Sequence, residues 1–380
     1  MFDMNLVQRG ARLRRSPFFE ATQRHGAKAY TVYNHMLFPI GFADLEEEYW
    51  HLLNHVTLWD VSVERQVEIT GPDAFEFTNM LTPRDLSRCA VGQGKYVAIT
   101  GEDGGIINDP VLLRLGENHF WLALADSDVL LWARGVALKS GLRVRIAEPD
   151  VSPLQIQGPR AKDVVQALFG DAVTKLRYYW FLETKLDGIP LVVTRTGWTG
   201  EVGYEVYLRD GSRGDELWER IMEAGKPSNI RPTGPSDIRR VEAGILNWGA
   251  DMTLENNVYE VGLDYLVDEG KTADYIGSVS LKRIKSEGVK RRLAGVEIEG
   301  PRIEMNAAAW PVAVGGETIG RVTSAVYSPR LEKNIGYAML PSAKAIAGTA
   351  LQVRVPGVGA RRATVVPKPF IDPRKEIPKA

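Results

Sequence analysis

A repeated pattern constrains the fold of this chain more than any other feature of its sequence. Residues 67–80 (VEITGPDAFEFTNM) and 154–168 (LQIQGPRAKDVVQAL) each pass from alternating apolar residues through Gly-Pro into an amphipathic segment. Gly-Pro ends a strand, and the residues after proline suit the first turn of a helix. A weaker copy, VEIEGPRI at 296–303, lacks the helix. The repeat predicts two related α+β halves and not a solenoid, because its period is long and irregular.

The sequence beyond residue 290 has a different character. Short apolar segments alternate with glycine and proline turns, as in WPVAVGGETIGRVTSAVYSP and ALQVRVPGVGARRATVVPKPF. This pattern is typical of a small β-barrel or sandwich. We therefore predict a domain of residues 1–288, built from two α+β subdomains, and a C-terminal domain of residues 289–380. Helices are also predicted at 43–55, 213–224, 236–247 and 279–286, and strands at 94–100, 106–115, 119–125, 189–195 and 203–208.

The composition limits the class of protein. The chain has 380 residues, of which 44% are hydrophobic and 25% charged, as in a soluble protein of two or three domains. A net charge of -1 gives no electrostatic reason to bind nucleic acid or an anionic membrane. Because Cys89 is the single cysteine, the chain forms no internal disulfide or thiolate metal cluster. Without a signal peptide or an apolar run of about 20 residues, we expect a cytoplasmic protein.

A glycine-dense stretch, RTGWTGEVGYEVY at residues 195–207, leaves two interpretations open. Its glycines follow GxxGxxG and lead into a strand, so the stretch is neither a P-loop nor a dinucleotide fingerprint. In one interpretation it is a plain hairpin loop with Glu201 exposed. In the other, Glu205 accepts two N–H groups from a flat ring edge, such as that of a pterin or guanine. Stacking faces would then come from Trp198, Tyr204 and Tyr207.

A second candidate site lies in GEDGGIINDPVLLRL, residues 101–115. Asn108 and Asp109 interrupt an otherwise apolar strand, and Pro110 follows them. A buried carboxylate is costly unless it is paired or used. A functional carboxylate and a capped strand end therefore remain equally open.

Three other features carry less weight. His51 and His55 have helical i, i+4 spacing but no third ligand in view, so we predict no metal site. The sequence lacks a Gly-x-Ser-x-Gly elbow, and the cysteine has no evident base, which argues against covalent hydrolysis. The aromatic run at 178–181 (YYWF) is interpreted mainly as core.

Five motifs occur in a familiar order: GGIINDP, LQIQGP, RTGWTGEVGYE, RRVEAGILNWGADM and GRVTSAVYSPRLEKNIGYAML. They resemble those of the glycine cleavage T-protein (aminomethyltransferase) family of tetrahydrofolate enzymes, and the resemblance covers nearly the whole chain. It implies an α+β fold of three subdomains, arranged as a cloverleaf around a central folate channel. The two predicted halves would be the first two subdomains and the C-terminal β-barrel the third. We expect a monomer or a homodimer.

The resemblance also implies roles for individual residues. Glu205 would hold the pterin edge of tetrahydrofolate, and Trp198 stands where the family usually has a stacking tyrosine. Tyr96, Trp180 and Tyr207 are further candidates for the folate site. The family's GG-x-x-DD motif supplies a catalytic aspartate, and here the pair is Asn108 and Asp109. Either member of the pair could occupy the catalytic position.

The N-terminal stretch RGARLRRSPFFEATQRHGAKAYTVYNHMLFP, with WDVSVERQVEI, MLTPRD and LADSDV, resembles the dimethylsulfoniopropionate (DMSP) demethylase branch of that family. This branch implies transfer of a methyl group from the DMSP sulfonium to N5 of tetrahydrofolate, giving 3-(methylthio)propanoate and 5-methyltetrahydrofolate. Aromatic faces would hold the sulfonium, with Tyr33 and Tyr207 as candidates, and Arg12 would pair with the donor carboxylate. Three alternatives stay open: another methyl donor (a methoxyaromatic acid or a methylated amine), a glycine-cleavage aminomethyltransferase, and a non-catalytic folate-binding protein.

Overall fold

The computed structural model describes residues 13–380. Its α-helices lie mostly in the first three quarters of the chain. They are α1 (Phe19–Arg24), α2 (Leu45–Asn54), α3 (Ala74–Met80), α4 (Val129–Ser140), α5 (Ala161–Phe169), α6 (Asp171–Thr174), α7 (Gly214–Gly225), α8 (Asp237–Glu242), α9 (Val258–Val261) and α10 (Ser278–Glu287).

The strands fall into three larger sheets and two short ribbons. They are β1 (Ala29–Tyr33), β2 (Met36–Gly41), β3 (Val56–Asp60), β4 (Gln66–Thr70), β5 (Gly94–Tyr96), β6 (Ile99–Thr100), β7 (Ile106–Asn108), β8 (Val111–Gly116), β9 (His119–Ala123), β10 (Arg145–Ala147), β11 (Ser152–Gln157), β12 (Phe181–Leu186), β13 (Ile189–Thr194), β14 (Gly203–Leu208), β15 (Ile230–Pro232), β16 (Arg291–Ile298), β17 (Trp310–Val314), β18 (Glu317–Ser328), β19 (Lys333–Pro341), β20 (Ala350–Val355) and β21 (Gly359–Val366).

The two copies of the sequence repeat supply interior strands to two different sheets. The first copy supplies β4 and α3 to a sheet of order β10-β4-β9-β8-β5, and the second supplies β11 and α5 to a sheet of order β12-β13-β14-β11-β3-β15. Each sheet packs its apolar face against its own helices. The two sheets also face each other, where Leu113 and Trp121 of the first contact Val192 and Tyr207 of the second. This arrangement agrees with the expectation of two α+β halves, which we keep as a proposal for the domain organisation.

The glycine of each Gly-Pro pair has a backbone conformation that other residues rarely adopt. Gly71 has a φ of 121° and Gly158 a φ of 125°. A side chain would also collide with the backbone, because a Cβ on Gly71 would lie 2.5 Å from the Arg143 carbonyl oxygen. A Cβ on Gly158 would lie 2.4 Å from that of His55. The repeat therefore conserves a turn geometry as well as an apolar pattern, since both glycines turn the chain from strand to helix.

The C-terminal region forms a closed six-stranded barrel of order β16-β19-β18-β17-β20-β21, as predicted. Helix α8 packs on its strands β18 and β19, and polar groups fix the contact. The Tyr337 hydroxyl donates to the Val241 carbonyl oxygen at 2.8 Å, and Glu242 accepts hydrogen bonds from Ser328 at 2.5 Å and Arg330 at 2.7 Å. Since α10 ends at Glu287 and β16 begins at Arg291, we keep 288/289 as the proposed domain division.

Three predicted elements differ from the structure. The helix predicted at 236–247 ends at Glu242, because Gly244 adopts a φ of 71°. The strand predicted at 106–115 is broken at Asp109 and Pro110, since proline has no N–H for the ladder. The strand predicted at 94–100 is likewise split into β5 and β6. Within residues 13–380, no helix is both long enough and apolar enough to cross a membrane.

Candidate functional site

Glu205 is buried on β14, where several side chains donate hydrogen bonds to its carboxylate. Its Oε1 accepts from Gln155 Nε2 at 2.7 Å, and its Oε2 accepts from Thr196 Oγ1 at 2.6 Å and the Tyr207 hydroxyl at 2.9 Å. Thr194 lies at 3.4 Å from the same Oε2. Burial raises the pKa of Glu205, and these donors oppose the rise because they stabilise the charged form. The network holds the carboxylate in one fixed orientation.

Asp109 lies at the break between β7 and β8, and it faces Tyr96. The Tyr96 hydroxyl donates to Asp109 Oδ2 at 2.7 Å. Burial raises the pKa of Asp109 from 3.8 to about 7, although the hydrogen bond from Tyr96 opposes the rise. Burial also raises the pKa of Tyr96 well above 10.0, so its hydroxyl keeps the proton and remains a donor. Asp109 can therefore gain or lose a proton near neutral pH.

Asn108 does not face the same space, which corrects its assignment as a catalytic candidate. It is fully buried, and its Nδ2 donates to the Ala125 carbonyl at 3.0 Å and to Ser127 Oγ at 2.8 Å. Its Oδ1 accepts from the Ala125 N–H at 3.1 Å. Neighbouring residues of an extended chain point to opposite sides, so only one member of the Asn-Asp pair can reach the site. Asn108 holds the 125–127 loop in place through these hydrogen bonds, and Asp109 is the half-buried member of the pair that faces Tyr96.

A third carboxylate, Glu64, completes the acidic group. It is half-buried in the turn between β3 and β4. Burial raises its pKa well above 4.5, and the negative charges of Glu205 and Asp109 raise it further. No residue within 13–380 donates a hydrogen bond to its carboxylate or pairs with it as a cation. Three mutually repelling carboxylates thus surround one space, and one of them has no protein partner.

Six tyrosines surround these carboxylates: Tyr33, Tyr96, Tyr178, Tyr179, Tyr207 and Tyr265. Burial raises the pKa of every one of them, to about 12 for Tyr178 and Tyr265, and nearby carboxylate charge adds to each rise. Except for Tyr207 and Glu205, these side chains nevertheless keep solvent-accessible surface. Side chains that are crowded by protein and still reach solvent are typical of the wall of a cleft, and we infer that these side chains face one cavity. We call the six tyrosines with Glu64, Asp109 and Glu205 the central cluster.

The aromatic residues that the sequence suggests for the folate and donor sites do not all lie in the central cluster. Tyr33 and Tyr96 belong to the central cluster. Tyr207 belongs to it only through its hydroxyl, because its ring is fully buried against Trp121 and presents no free face. Trp198 packs beside Trp59, and the Arg240 guanidinium lies 5.6 Å above its ring.

Trp180 and Tyr204 do not join the central cluster. The Arg177 guanidinium lies 4.0 Å above the Trp180 ring, and no ring pair or side-chain hydrogen bond joins Trp180 to the cluster within residues 13–380. Tyr204 points to the opposite side of β14 from Glu205, into the core of the second half, where the Arg195 guanidinium lies 5.3 Å above its ring. Neither ring therefore faces the cavity.

The cationic partner predicted for the donor, Arg12, lies outside the described residues. Two arginines of the same N-terminal cluster are described, and both have carboxylate partners: Arg14 pairs with Glu148 at 2.6 Å and Arg15 with Glu20 at 3.2 Å. A different cation, Arg84, lies beside the central cluster. Its Nη1 donates to the Tyr96 carbonyl at 2.7 Å, and its charge lowers the pKa of Tyr179 and Tyr265. Among residues 13–380, no carboxylate forms an ion pair with Arg84.

The loop at 195–203 joins β13 to β14, so the hairpin interpretation is correct in its topology. The hairpin interpretation also predicts that Glu201 is exposed, and this prediction is wrong. Glu201 is buried and its Oε1 accepts from Arg239 Nε at 2.7 Å, because the loop packs against α8. His51 Nε2 donates to the Asn229 carbonyl oxygen at 2.8 Å. Among the described residues, no three or more His, Cys, Asp or Glu side chains are placed so that they could hold one metal ion.

Sequence reasoning missed Glu64, Arg84, Tyr265 and the pair Tyr178 and Tyr179. Glu64 and Arg65 stand between two apolar strands and look like an ordinary turn. The run at 178–181 was assigned to the core, which is correct for Phe181 but wrong for the two tyrosines. No contiguous motif marks these residues; in the structure Tyr179 adopts a φ of 64°, a conformation that residues other than glycine rarely take.

Comparison with known proteins places this geometry in a family. Residues 18–271 match the GCVT N-terminal domain, and residues 291–372 match the glycine cleavage T-protein C-terminal barrel domain. The chain is 41% identical to dimethylsulfoniopropionate demethylase DmdA of Ruegeria pomeroyi, over 93% of this chain and 96% of that protein. It is 31% identical to an aminomethyltransferase of Bacillus cereus, over 94% and 98% of the two chains.

The fold was also compared with solved structures. The crystal structure of glycine cleavage system aminomethyltransferase T from Bartonella henselae superposes with a TM-score of 0.85, at 24% identity, over 94% of this chain and 98% of that one. This confirms the predicted three-part α+β fold with its C-terminal barrel. The chain belongs to the glycine cleavage T-protein family.

Proposed function

We propose that this protein is a tetrahydrofolate-dependent methyltransferase that demethylates dimethylsulfoniopropionate. The observation that carries the proposal is the central cluster, in which three carboxylates surround one cavity and Glu64 has no partner within residues 13–380. Such a site favours a cationic ligand, because a positive charge relieves the repulsion among the carboxylates. The similarity to a relative named as a DMSP demethylase supports the same substrate.

Glu205 suits the methyl acceptor. The pterin ring of tetrahydrofolate presents neighbouring N–H groups along one edge, and a carboxylate is the acceptor that fits such an edge. Four side chains already fix the orientation of Glu205, so little side-chain entropy is lost when the ligand binds. Tyr178 and Tyr179 feel the charge of Glu205 and would border the same ring.

The donor would lie nearer Glu64 and Asp109. A sulfonium is attracted by carboxylate charge and by the faces of aromatic rings, each ring being worth roughly 0.5–2 kcal/mol. Tyr33 lies close to both carboxylates, whose charges raise its pKa. The carboxylate end of DMSP needs a cation, and Arg84 supplies one that is free of any ion pair among the described residues.

The reaction needs alignment and the removal of one proton. Tetrahydrofolate supplies N5, whose electron pair forms the N–C bond while the C–S bond breaks toward sulfur, which leaves as a neutral thioether. Asp109 is suited to take the proton that the methylated nitrogen releases, because its pKa is about 7. Tyr96 orients that carboxylate through its hydrogen bond. Holding the reacting atoms in line and excluding water would supply most of the rate enhancement.

A kinetic assay with DMSP and tetrahydrofolate tests the proposal. We expect both 3-(methylthio)propanoate and 5-methyltetrahydrofolate in equal amounts. The same assay with a methoxyaromatic acid, with a methylated amine and with a lipoyl-bound aminomethyl carrier tests the alternatives. Turnover of one of these without turnover of millimolar DMSP would reassign the donor. Folate binding without any turnover would indicate a non-catalytic protein.

The folate site has its own test. We expect Glu205→Ala to weaken tetrahydrofolate binding by more than about 1 kcal/mol while the fold stays intact, since a buried acceptor is lost. Glu183→Ala is the matched control, because Glu183 is exposed on β12 and pairs only with Arg209. An unchanged dissociation constant in Glu205→Ala would remove Glu205 from the site. The cytoplasmic location and the monomeric or dimeric state remain predictions.

A further inference from the structure

Gln155 stands beside Glu205 at the centre of the second sheet. It lies on β11, directly opposite Glu205 on β14 and Trp59 on β3. Only 1% of its surface is exposed, and its Nε2 donates to Glu205 Oε1 at 2.7 Å. This hydrogen bond fixes which end of the amide faces the carboxylate, because the reversed amide would set two acceptors against each other.

The other end of the same amide is unsatisfied. Gln155 Oε1 is buried, and no donor among residues 13–380 reaches it. A buried acceptor without a partner loses the hydrogen bonds that water would have given it, so it destabilises the free protein. The second sheet therefore carries an uncompensated acceptor directly beside the proposed pterin-binding carboxylate.

Glu205 can accept a further hydrogen bond on the side that faces Gln155. Its Oε2 is occupied by Thr196 and Tyr207, with Thr194 at a longer distance. Its Oε1 accepts only the bond from Gln155, although a carboxylate oxygen can accept two. Gln155 Oε1 and the open side of Glu205 Oε1 thus form two acceptors on neighbouring strands.

We propose that Gln155 is a second residue that binds the pterin edge, with its Oε1 accepting an N–H group of the ring next to the one bound by Glu205. This inference rests on the proposed function. The matching ligand class is a flat ring with adjacent N–H donors, such as a 2-amino-4-oxo pterin. Binding then satisfies a buried acceptor that is unsatisfied in the free protein. Only ligands that carry the second N–H donor gain affinity from this contact.

Two substitutions test whether the polar atoms of Gln155 contribute to binding. Gln155→Met removes both the donor to Glu205 and the free acceptor at nearly constant volume. Gln155→Glu keeps an acceptor, and when protonated it also donates to Glu205 as the amide does. Gln166→Met, on the outer side of α5 where Gln166 contacts Asp171, is the matched control.

Calorimetric titration with tetrahydrofolate gives the readout, with thermal unfolding of each variant to confirm its fold. We expect Gln155→Met to weaken binding more than about tenfold, and Gln155→Glu to stay within about threefold of wild type at pH 6. Equal weakening in both variants would overturn the proposal, because Gln155→Glu keeps the acceptor that Gln155→Met removes. So would unchanged binding in Gln155→Met, as expected if a buried water satisfies Oε1. If the wild-type protein binds no tetrahydrofolate, the proposed function fails first.

Discussion

The Tyr96 hydroxyl lies 2.7 Å from Asp109 Oδ2, and it is the side-chain donor that opposes the effect of burial on this carboxylate. Burial alone favours the protonated acid, whereas the hydrogen bond favours the anion. The balance leaves the pKa of Asp109 at about 7. A residue on β5 therefore sets the protonation state of a residue at the break between β7 and β8.

Replacement of Tyr96 by Phe removes that donor and should raise the pKa of Asp109 further. If Asp109 accepts a proton during turnover, the rising limb of kcat/KM should move upward by about one pH unit. A pH profile from 5 to 9 measures this shift. Tyr259→Phe is the control, because Tyr259 lies on α9 and does not belong to the central cluster. An unmoved profile in Tyr96→Phe would contradict the role of Asp109 as the titrating base.

Replacement of Asp109 by Asn should change how stability depends on pH. A carboxyl group whose pKa is raised from 3.8 to about 7 contributes stability that is fully present below pH 3.8 and lost as the pH rises through about 7. The loss falls between about pH 4 and pH 7, so wild type should still lose part of this stability between pH 5 and 8, and Asp109→Asn should lose less. At pH 8 we expect the variant to be more stable by about 1–3 kcal/mol, although inactive. Urea unfolding at both pH values checks this, and parallel pH dependences would argue against it.

Replacement of Glu64 by Gln should weaken binding of the methyl donor and leave binding of tetrahydrofolate nearly unchanged. The change removes a carboxyl group that can ionise when a cation binds, at nearly constant shape, so a sulfonium should bind less well. We expect KM for DMSP to rise about five- to tenfold, with the tetrahydrofolate dissociation constant changed less than about twofold. Glu117→Gln, on an exposed turn, serves as the control. An equal effect on both substrates would place Glu64 in a structural role.

The buried pair of Glu201 and Arg239 should be important for stability. Arg239 is completely buried, so Glu201→Ala leaves its charge without its closest partner. We expect the free energy of unfolding to fall by about 3–5 kcal/mol. Glu223→Ala breaks an exposed pair with Lys226 and should cost less than about 1 kcal/mol. Chemical denaturation compares the two, and similar small losses would mean that Glu242, 3.8 Å from Arg239, compensates.

The turn glycines provide a test of the fold. Gly158→Ala introduces a Cβ 2.4 Å from the His55 carbonyl oxygen at a φ of 125°, so we expect a loss of about 2–4 kcal/mol. Gly135→Ala is the control, since Gly135 lies inside α4 with open space around its Cβ position. It should be neutral or stabilising by up to about 1 kcal/mol. Thermal or urea unfolding measures both, and equal stability of the two variants would contradict the close approach at Gly158.

Much of the architecture follows from local patterns in the sequence. The Gly-Pro repeats predict the two halves because strand alternation, a φ that glycine tolerates and a helix start are all properties of neighbouring residues. The glycine and proline turns predict the barrel for the same reason. Glu205 is recognisable because its motif is contiguous, and strand alternation already places it on the side opposite Tyr204.

The composition of the site depends instead on contacts between distant segments. Glu64, Asp109 and Glu205 come from three separate parts of the chain, and their proximity raises the pKa of Glu64 in a way that no single motif encodes. Strand order decides that Gln155 lies beside Glu205, and that Asp109 and not Asn108 reaches the cavity. The sequence alone determined the two halves, the barrel and the family motifs, because these are local. Only the tertiary structure decided which polar side chains share the cavity, because burial and charge repulsion depend on neighbours far apart in the chain.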